Sequence, residues 1–151
     1  MKKIFYNSSI AKALLCLSDC HTIMLFGFVF SKLKEEEMTQ STKNHESVHV
    51  RQWAEMTIAS GIILLMLVLI LGISPWWIAL SGLAFYIWYL VEWFLKGFKY
   101  SIMIDEWTCD LETPYESISF EREARKANKD SNYLENSNYF EWLKFLIKVN
   151  S

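Results

Sequence analysis

The chain has 151 residues, which suffices for one domain with a single buried core. Its net charge of -2 and its scattered basic residues exclude the concentrated positive patch that binds nucleic acid, so we expect no nucleic-acid partner. Hydrophobic residues make up 52% and aromatic residues 16% of the chain, more than an ordinary soluble domain carries.

The first predicted elements precede any chemical motif. Residues 1–20 contain a short apolar stretch that Lys12 and Asp19 interrupt, which favours a helix lying at a membrane surface. Residues 21–31 are rich in aromatic and β-branched side chains and are predicted to form a strand. The acidic run at 35–37 is predicted to be a solvated loop.

The HExxH pattern at residues 45–49 is the main chemical signature of the chain. Positions i and i+4 lie on one face of a helix, so His45 and His49 can bind the same metal ion. Glu46 is placed to act on a metal-bound water rather than on the metal itself. The alternative is a helix with two surface histidines. We predict one helix over residues 42–73 that carries the motif into an apolar segment.

Two apolar segments follow the motif. Residues 58–73 have no charged side chain, and residues 76–95 have only Glu92. The second segment is about as long as a helix that crosses the hydrocarbon core, and tryptophan and tyrosine lie at the segment ends, as at membrane interfaces. The turn between the segments is uncharged whereas basic residues flank the pair, which predicts a membrane hairpin with both ends in the cytoplasm. The alternative is a helical hairpin buried in a soluble dimer.

A third metal ligand is expected on a helix predicted over residues 116–129. Glu121 and Glu123 both lie there, and residues two apart on a helix point to different sides, so only one of them can meet the histidines. Two histidines and one glutamate leave the fourth tetrahedral position for water, as in catalytic zinc sites. The carboxylates of a solvated helix face are the alternative for either residue.

Other polar residues are candidates for supporting the metal ligands or a substrate. Gln52 follows His49 by three residues on the same helix face, so it is expected to bond a ligand or a substrate backbone, or else to be solvated. Glu92 lies near the end of an apolar segment, where a carboxylate must be paired or close to the interface. We expect Glu92 to pair with Arg51 or with a histidine N–H.

The last predicted element is an amphipathic helix over residues 138–149, which would lie on the membrane or close over the core. The whole chain, residues 1–151, is therefore predicted to be a single domain. Its fold class is mainly α with a small β element.

Four blocks of the chain, NHESVHVRQWAE, YIWYLVEWFLK, PYESISFEREARKAN and NYLENSNYFEWLKFL, resemble a family of small HExxH proteins of Bacteroidetes-type bacteria. More distantly, the chain is similar to the gluzincin metallopeptidases, including the HtpX and CaaX-protease membrane enzymes. In those enzymes a later E-x-x-A-D pattern completes the site. Aligned on Ala124, this resemblance implies Glu121 rather than Glu123 as the third ligand. Arg125 stands where those enzymes usually have Asp, so a hydrogen bond to a zinc-bound histidine must come from elsewhere.

The resemblance implies a zincin-like minimal metallopeptidase core with a transmembrane helical hairpin and one zinc ion (Zn2+) per chain. The expected function is membrane-associated peptide hydrolysis with Glu46 as general base, at the cytoplasmic side of a bacterial inner membrane. The expected substrate is a peptide or a membrane protein, which by similarity to zincins adds as a further strand along residues 22–30. The alternative is a non-catalytic membrane interaction module that retains the fold.

Overall fold

A computed structural model of the chain describes residues 4–104, 112–130 and 132–147. These residues are mainly helical and include one three-stranded sheet, which confirms the predicted mainly α fold with a small β element. The elements in chain order are β1 (Ile4–Phe5), α1 (Ser9–Leu14), β2 (Thr22–Leu25), β3 (Phe28–Ser31), α2 (Gln40–Leu71), a 3₁₀ helix (Pro75–Leu83), α3 (Ala84–Ile104), α4 (Glu112–Ser117), α5 (Ser119–Ala127), α6 (Tyr133–Asn136) and α7 (Leu143–Ile147).

The chain divides into two compact units. The first comprises Met1–Ala54 and Ala124–Ser137, and the second comprises Glu55–Glu123 and Asn138–Ser151. The boundaries fall inside α2 and inside α5, so each of these two helices contributes residues to both units.

The sheet of the first unit has the order β1-β3-β2, with β1 parallel and β2 antiparallel to β3. Phe26 and Gly27 join β2 to β3 with φ of +50° and +79°. A two-residue turn with both φ values positive matches the right-handed twist of the strands. The segment at 21–31, predicted as one strand, is therefore a hairpin.

The N-terminal segment, predicted as one helix over residues 1–20, contains a strand and a short helix. Phe5 of β1 pairs with Phe30 of β3, and their rings stack with centroids 5.0 Å apart. Pairing with the sheet keeps this part of the chain extended. The helix is thus limited to α1, in which Ala11 is fully buried.

Helices α2 and α5 pack together in the first unit through small side chains. Val48 of α2 and Ala124 and Ala127 of α5 are fully buried in one cluster, against which Tyr133 packs. Asn44 Nδ2 also donates a hydrogen bond to the Ala127 carbonyl oxygen over 3.4 Å. Because alanine permits close approach, this packing holds α5 against the turns of α2 that carry the HExxH pattern.

An aromatic cluster forms the core of the second unit. Phe120 is fully buried, stacks on Phe85 with centroids 4.8 Å apart and meets the Trp142 ring edge-on at 4.7 Å. Trp142 Nε1 donates a hydrogen bond to Glu55 Oε2 over 3.1 Å. Aromatic pairs of this kind contribute about 0.5–1.5 kcal/mol each beyond their area burial, so the cluster anchors the segment before α7.

The C-terminal helix predicted over residues 138–149 is shorter in the structure. Phe140 has φ +59°, a left-handed conformation that a continuous right-handed helix does not contain. Among the described residues the helix therefore begins at Leu143, as α7, and residues 148–151 of the predicted segment lie outside the described part of the chain.

Two helices are long and apolar enough to cross a membrane, α2 and the helical segment Pro75–Ser101. In the most apolar 18-residue stretch of each helix, only 6% and 17% respectively is buried. The core helix of a soluble protein is mostly buried. Gly61 of α2 lies close to Ser81, whose Cβ would be 3.7 Å from a Cβ at position 61. Small residues at such a contact are typical of helix pairs in membranes.

Replacing Gly27 by alanine is expected to lower the free energy of unfolding more than the same change at Gly72, although both glycines have positive φ. A Cβ on Gly27 would lie 2.8 Å from the Trp53 ring, whereas a Cβ on Gly72 would meet nothing within 4 Å. Gly72→Ala is expected to lower the free energy of unfolding by about 1–2 kcal/mol through backbone strain alone. Gly27→Ala should cost at least about 1 kcal/mol more because the packed ring must move as well. Thermal unfolding of the two variants in detergent compares them, and equal losses would contradict the Trp53 contact.

Candidate metal centre

Helix α2 brings the imidazoles of His45 and His49 together, as their spacing predicts. Their Nε2 atoms are 3.1 Å apart and their rings meet edge-on with centroids 4.8 Å apart. Two nitrogen ligands that each lie about 2.0–2.1 Å from one zinc ion in tetrahedral geometry are about 3.3 Å apart. The observed separation thus suits two ligands of one metal ion.

His45, His49 and Glu121 form a group that could hold a metal ion, since one ligand atom from each lies within 4.8 Å of the others. Glu121 lies one turn before Ala124 on α5, the helix that packs against Val48 of α2. Glu121 is 2% exposed, His49 is also buried, and His45 is partly exposed. Glu121, the predicted third ligand, is thus a member of this group.

The buried Gln52 supports one of the histidines. Its side chain is fully buried, and its Oε1 lies 2.8 Å from His49 Nδ1. An amide oxygen can only accept, so the bond fixes the proton on Nδ1 and leaves Nε2 as the ligand nitrogen. Gln52 thereby accepts a hydrogen bond from a histidine N–H. Arg125 cannot accept one, because a guanidinium group has no acceptor atom.

Glu46 is held by a residue that sequence analysis did not single out. Thr22, the first residue of β2, donates a hydrogen bond from Oγ1 to Glu46 Oε1 over 2.6 Å. Glu46 is 7% exposed, so this bond limits the rotation of a largely buried carboxylate. The outer strand of the sheet is thereby tied to the residue expected to act as base.

Arg51 and Glu123 take positions outside the metal group. Arg51 Nη1 donates a hydrogen bond to Ser137 Oγ over 2.8 Å, and its guanidinium lies 5.9 Å from the Tyr133 ring centroid. These contacts tether α2 to the region around α6. Glu123 is also buried on α5. The group of possible metal ligands found among the described residues contains Glu121 and not Glu123.

Glu92, which we expected to pair with Arg51 or a histidine N–H, instead caps helix α5. Its two carboxylate oxygens accept hydrogen bonds from Ser119 N over 2.8 Å and from Ser119 Oγ over 2.6 Å. Lys96 Nζ lies 2.7 Å from Glu92 Oε1 and also donates to the carbonyl oxygen of Ser117. This capping gives α5 its own N-terminus at Ser119 and separates it from α4, where one helix over 116–129 was predicted.

Tyr89 is the second partner that sequence analysis did not single out. Its hydroxyl donates a hydrogen bond to Glu121 Oε1 over 2.8 Å. Tyr89, Glu92 and Lys96 recur at spacings of three and four residues within residues 87–98 of α3, which are otherwise apolar, so they share one face. Such a polar stripe is a signal by which the Tyr89 contact could have been predicted.

The choice between the two glutamates can be tested by metal content. Glu121→Gln should lower the zinc bound by the detergent-purified protein well below one ion per chain, because a neutral amide is a poor ligand. Glu123→Gln is the matched control and should retain wild-type zinc, provided its circular dichroism spectrum is unchanged. Elemental mass spectrometry after addition and removal of excess zinc measures both. Loss of zinc in the Glu123 variant alone would contradict the assignment.

Comparison of the chain with protein-family models, with curated proteins and with solved structures gave no match in any of the three. The relation to the small HExxH proteins and to the gluzincins remains a prediction. It depends on the sequence blocks quoted above.

Proposed function

We propose that the protein is a zinc-dependent, membrane-associated metallopeptidase. The observation that carries this proposal is the group of His45, His49 and Glu121, with Glu46 next in sequence to the first ligand. Two imidazoles and one carboxylate are the ligand set of catalytic zinc sites that retain one position for water. The close Nε2 atoms and the Gln52 bond to His49 support the same assignment.

A bound zinc ion supplies Lewis-acid activation of a water molecule and of the scissile carbonyl group. Glu46 accepts the proton of that water and transfers it to the leaving amine, first as a general base and then as a general acid. The hydrogen bond from Thr22 occupies Oε1, so Oε2 is the oxygen assigned to proton transfer. Holding the base in one orientation raises the reaction rate, because less entropy is lost when the reacting atoms reach their reactive geometry.

The membrane placement follows from the length of α2. At about 1.5 Å per residue, His49 lies about 33 Å along the helix from its end at Leu71. The hydrocarbon core of a bilayer is about 30 Å thick. With the hairpin turn at the far boundary, the histidines lie at the headgroups of the near side. Basic residues on both flanks of the hairpin favour the cytoplasm for that side.

The proposed substrate is an extended peptide or the juxtamembrane part of a membrane protein. β2 is an outer strand of its sheet, and its first residue contacts Glu46. A peptide added as a further strand along β2 would run beside the base, with its backbone held by main-chain hydrogen bonds. Strand addition of this kind selects chains that can be extended, which suits segments emerging from a membrane.

The role of Glu46 is tested with Glu46→Gln, which keeps the size of the side chain and removes its basicity. This variant should bind one zinc ion per chain, as the wild type does, and its hydrolysis rate should fall by about 10²–10⁴-fold. The assay is a mixed peptide library in detergent, with products identified by mass spectrometry. Glu36→Gln, a change at an exposed acid in the loop before α2, is the control and should cleave normally.

Normal cleavage by a zinc-loaded Glu46→Gln protein would show that the base lies elsewhere. A zinc-loaded wild type that cleaves nothing, in the library or in isolated membrane proteins, would instead favour the non-catalytic membrane interaction module. In both cases the metal content is measured on the same samples, so failure of catalysis is separated from failure of metal binding.

The membrane hairpin has a test of its own. The full chain is expected to remain in the membrane pellet after an alkaline carbonate wash, because the apolar side chains exposed on its two long helices favour hydrocarbon over water. Detergent should release it. Recovery in the aqueous fraction without detergent would favour the soluble dimer in which the hairpin is an interface.

A further inference from the structure

We propose that Tyr89 is a positioning residue that holds Glu121 for metal binding, so that the apolar helix α3 sets the metal affinity of the site. This inference depends on the metal binding that the proposed function requires. It does not depend on hydrolysis, and its test measures affinity alone.

The contact between the two residues is direct and shielded. The Tyr89 hydroxyl donates to Glu121 Oε1 over 2.8 Å, and the glutamate is 2% exposed. A donor on one carboxylate oxygen restricts rotation of the group and leaves the second oxygen for a cation. Partners of metal ligands that act in this way usually contribute a large part of the affinity of a site.

Packing holds the Tyr89 ring in place. Its centroid lies 5.9 Å from Phe85, 6.3 Å from Tyr115 and 6.3 Å from Phe120. An aromatic side chain has only two rotatable bonds, so such packing leaves it few alternative rotamers. The hydroxyl therefore meets Glu121 from a fixed direction, without a loss of rotamer freedom when a metal ion binds.

The backbone that carries Glu121 is held by the same face of α3. Glu92 accepts hydrogen bonds from the main-chain N–H and the hydroxyl of Ser119, two residues before the ligand. Lys96 compensates the charge of Glu92 over 2.7 Å. Glu92 and Lys96 hold the backbone at the start of α5. The Tyr89 hydroxyl, by contrast, bonds the Glu121 carboxylate itself and also hydrogen-bonds the Tyr115 side chain. Removal of this hydroxyl should thus change metal affinity without unfolding α5.

The experiment compares Tyr89→Phe with Tyr100→Phe in the full-length, detergent-purified protein. Both variants keep the ring and lose one hydroxyl, and Tyr100 lies on the same helix about three turns further on. Zinc affinity is measured by competition with a chromogenic chelator, and the cobalt-substituted proteins are compared by visible absorption. Tyr89→Phe should bind zinc about 10–100-fold more weakly and change the cobalt spectrum. Tyr100→Phe should stay within about twofold of wild type in zinc affinity. Metal-free Tyr89→Phe should melt at a somewhat lower temperature, because the buried Glu121 carboxylate loses a donor, but it should keep the wild-type circular dichroism spectrum at the temperature of the titration.

Wild-type affinity and an unchanged cobalt spectrum in Tyr89→Phe would overturn the proposal. So would loss of helical circular dichroism by the metal-free variant at the temperature of the titration, because the weaker binding would then report unfolding rather than the orientation of a ligand. A wild type that binds no zinc would overturn it together with the metal centre. A wild type that binds zinc without cleaving peptides would contradict the proposed function and leave the role of Tyr89 intact.

Discussion

Burial of carboxylates is the constraint on which the arrangement of this protein depends. A carboxylate removed from water must be given hydrogen-bond donors or positive charge, or it destabilises the fold by several kcal/mol. Here the donors come from different elements: β2 supplies one to Glu46, the segment before α7 supplies one to Glu55, and α3 supplies one to Glu121. Each of these three hydrogen bonds connects a buried acid to a side chain of another part of the chain.

Helix α2 combines two tasks that proteins often assign to separate elements. Its first turns carry both histidines and pack on α5 through small residues, while its later turns expose leucine and isoleucine. A single continuous helix transmits position rigidly along its length, because each turn is bonded to the next. Under the proposed function, the same helix carries the histidines and the apolar turns, with no loop between them.

Local patterns in the sequence predicted the parts of the structure that local physics determines. The i, i+4 spacing of His45 and His49 and the two apolar segments needed only helix periodicity and composition. The hairpin within 21–31 was not predicted, because Phe26-Gly27 lacks the Asn-Gly or Asp-Gly signal of such turns. The break between α4 and α5 was not predicted either, because its cap is Glu92, a residue of a different helix.

The same contrast between local patterns and contacts between distant residues applies to the candidate site. The HExxH pattern predicts two ligands and a base by spacing, whereas the choice of Glu121 over Glu123 needed the resemblance to a known pattern. Thr22 was missed because a single hydroxyl far away in sequence carries no periodic signal. Tyr89 does share a face with Glu92 and Lys96, but that spacing does not identify its partner on another helix. Gln52 was found because it shares a helix face with His49. Contacts within one helix were accessible to prediction, and contacts between elements were not.

The order of the elements along the chain also bears on how the metal centre is assembled during synthesis. His45 and His49 leave the ribosome before either apolar segment, and Glu121 leaves after both. The helix that carries Glu121 is capped by α3, and the hairpin itself closes through the small residues Gly61 and Ser81. Under the proposed function, the site has only two of its three metal ligands until both apolar segments have been synthesised. A nascent chain that stops before Glu121 would therefore lack the third ligand.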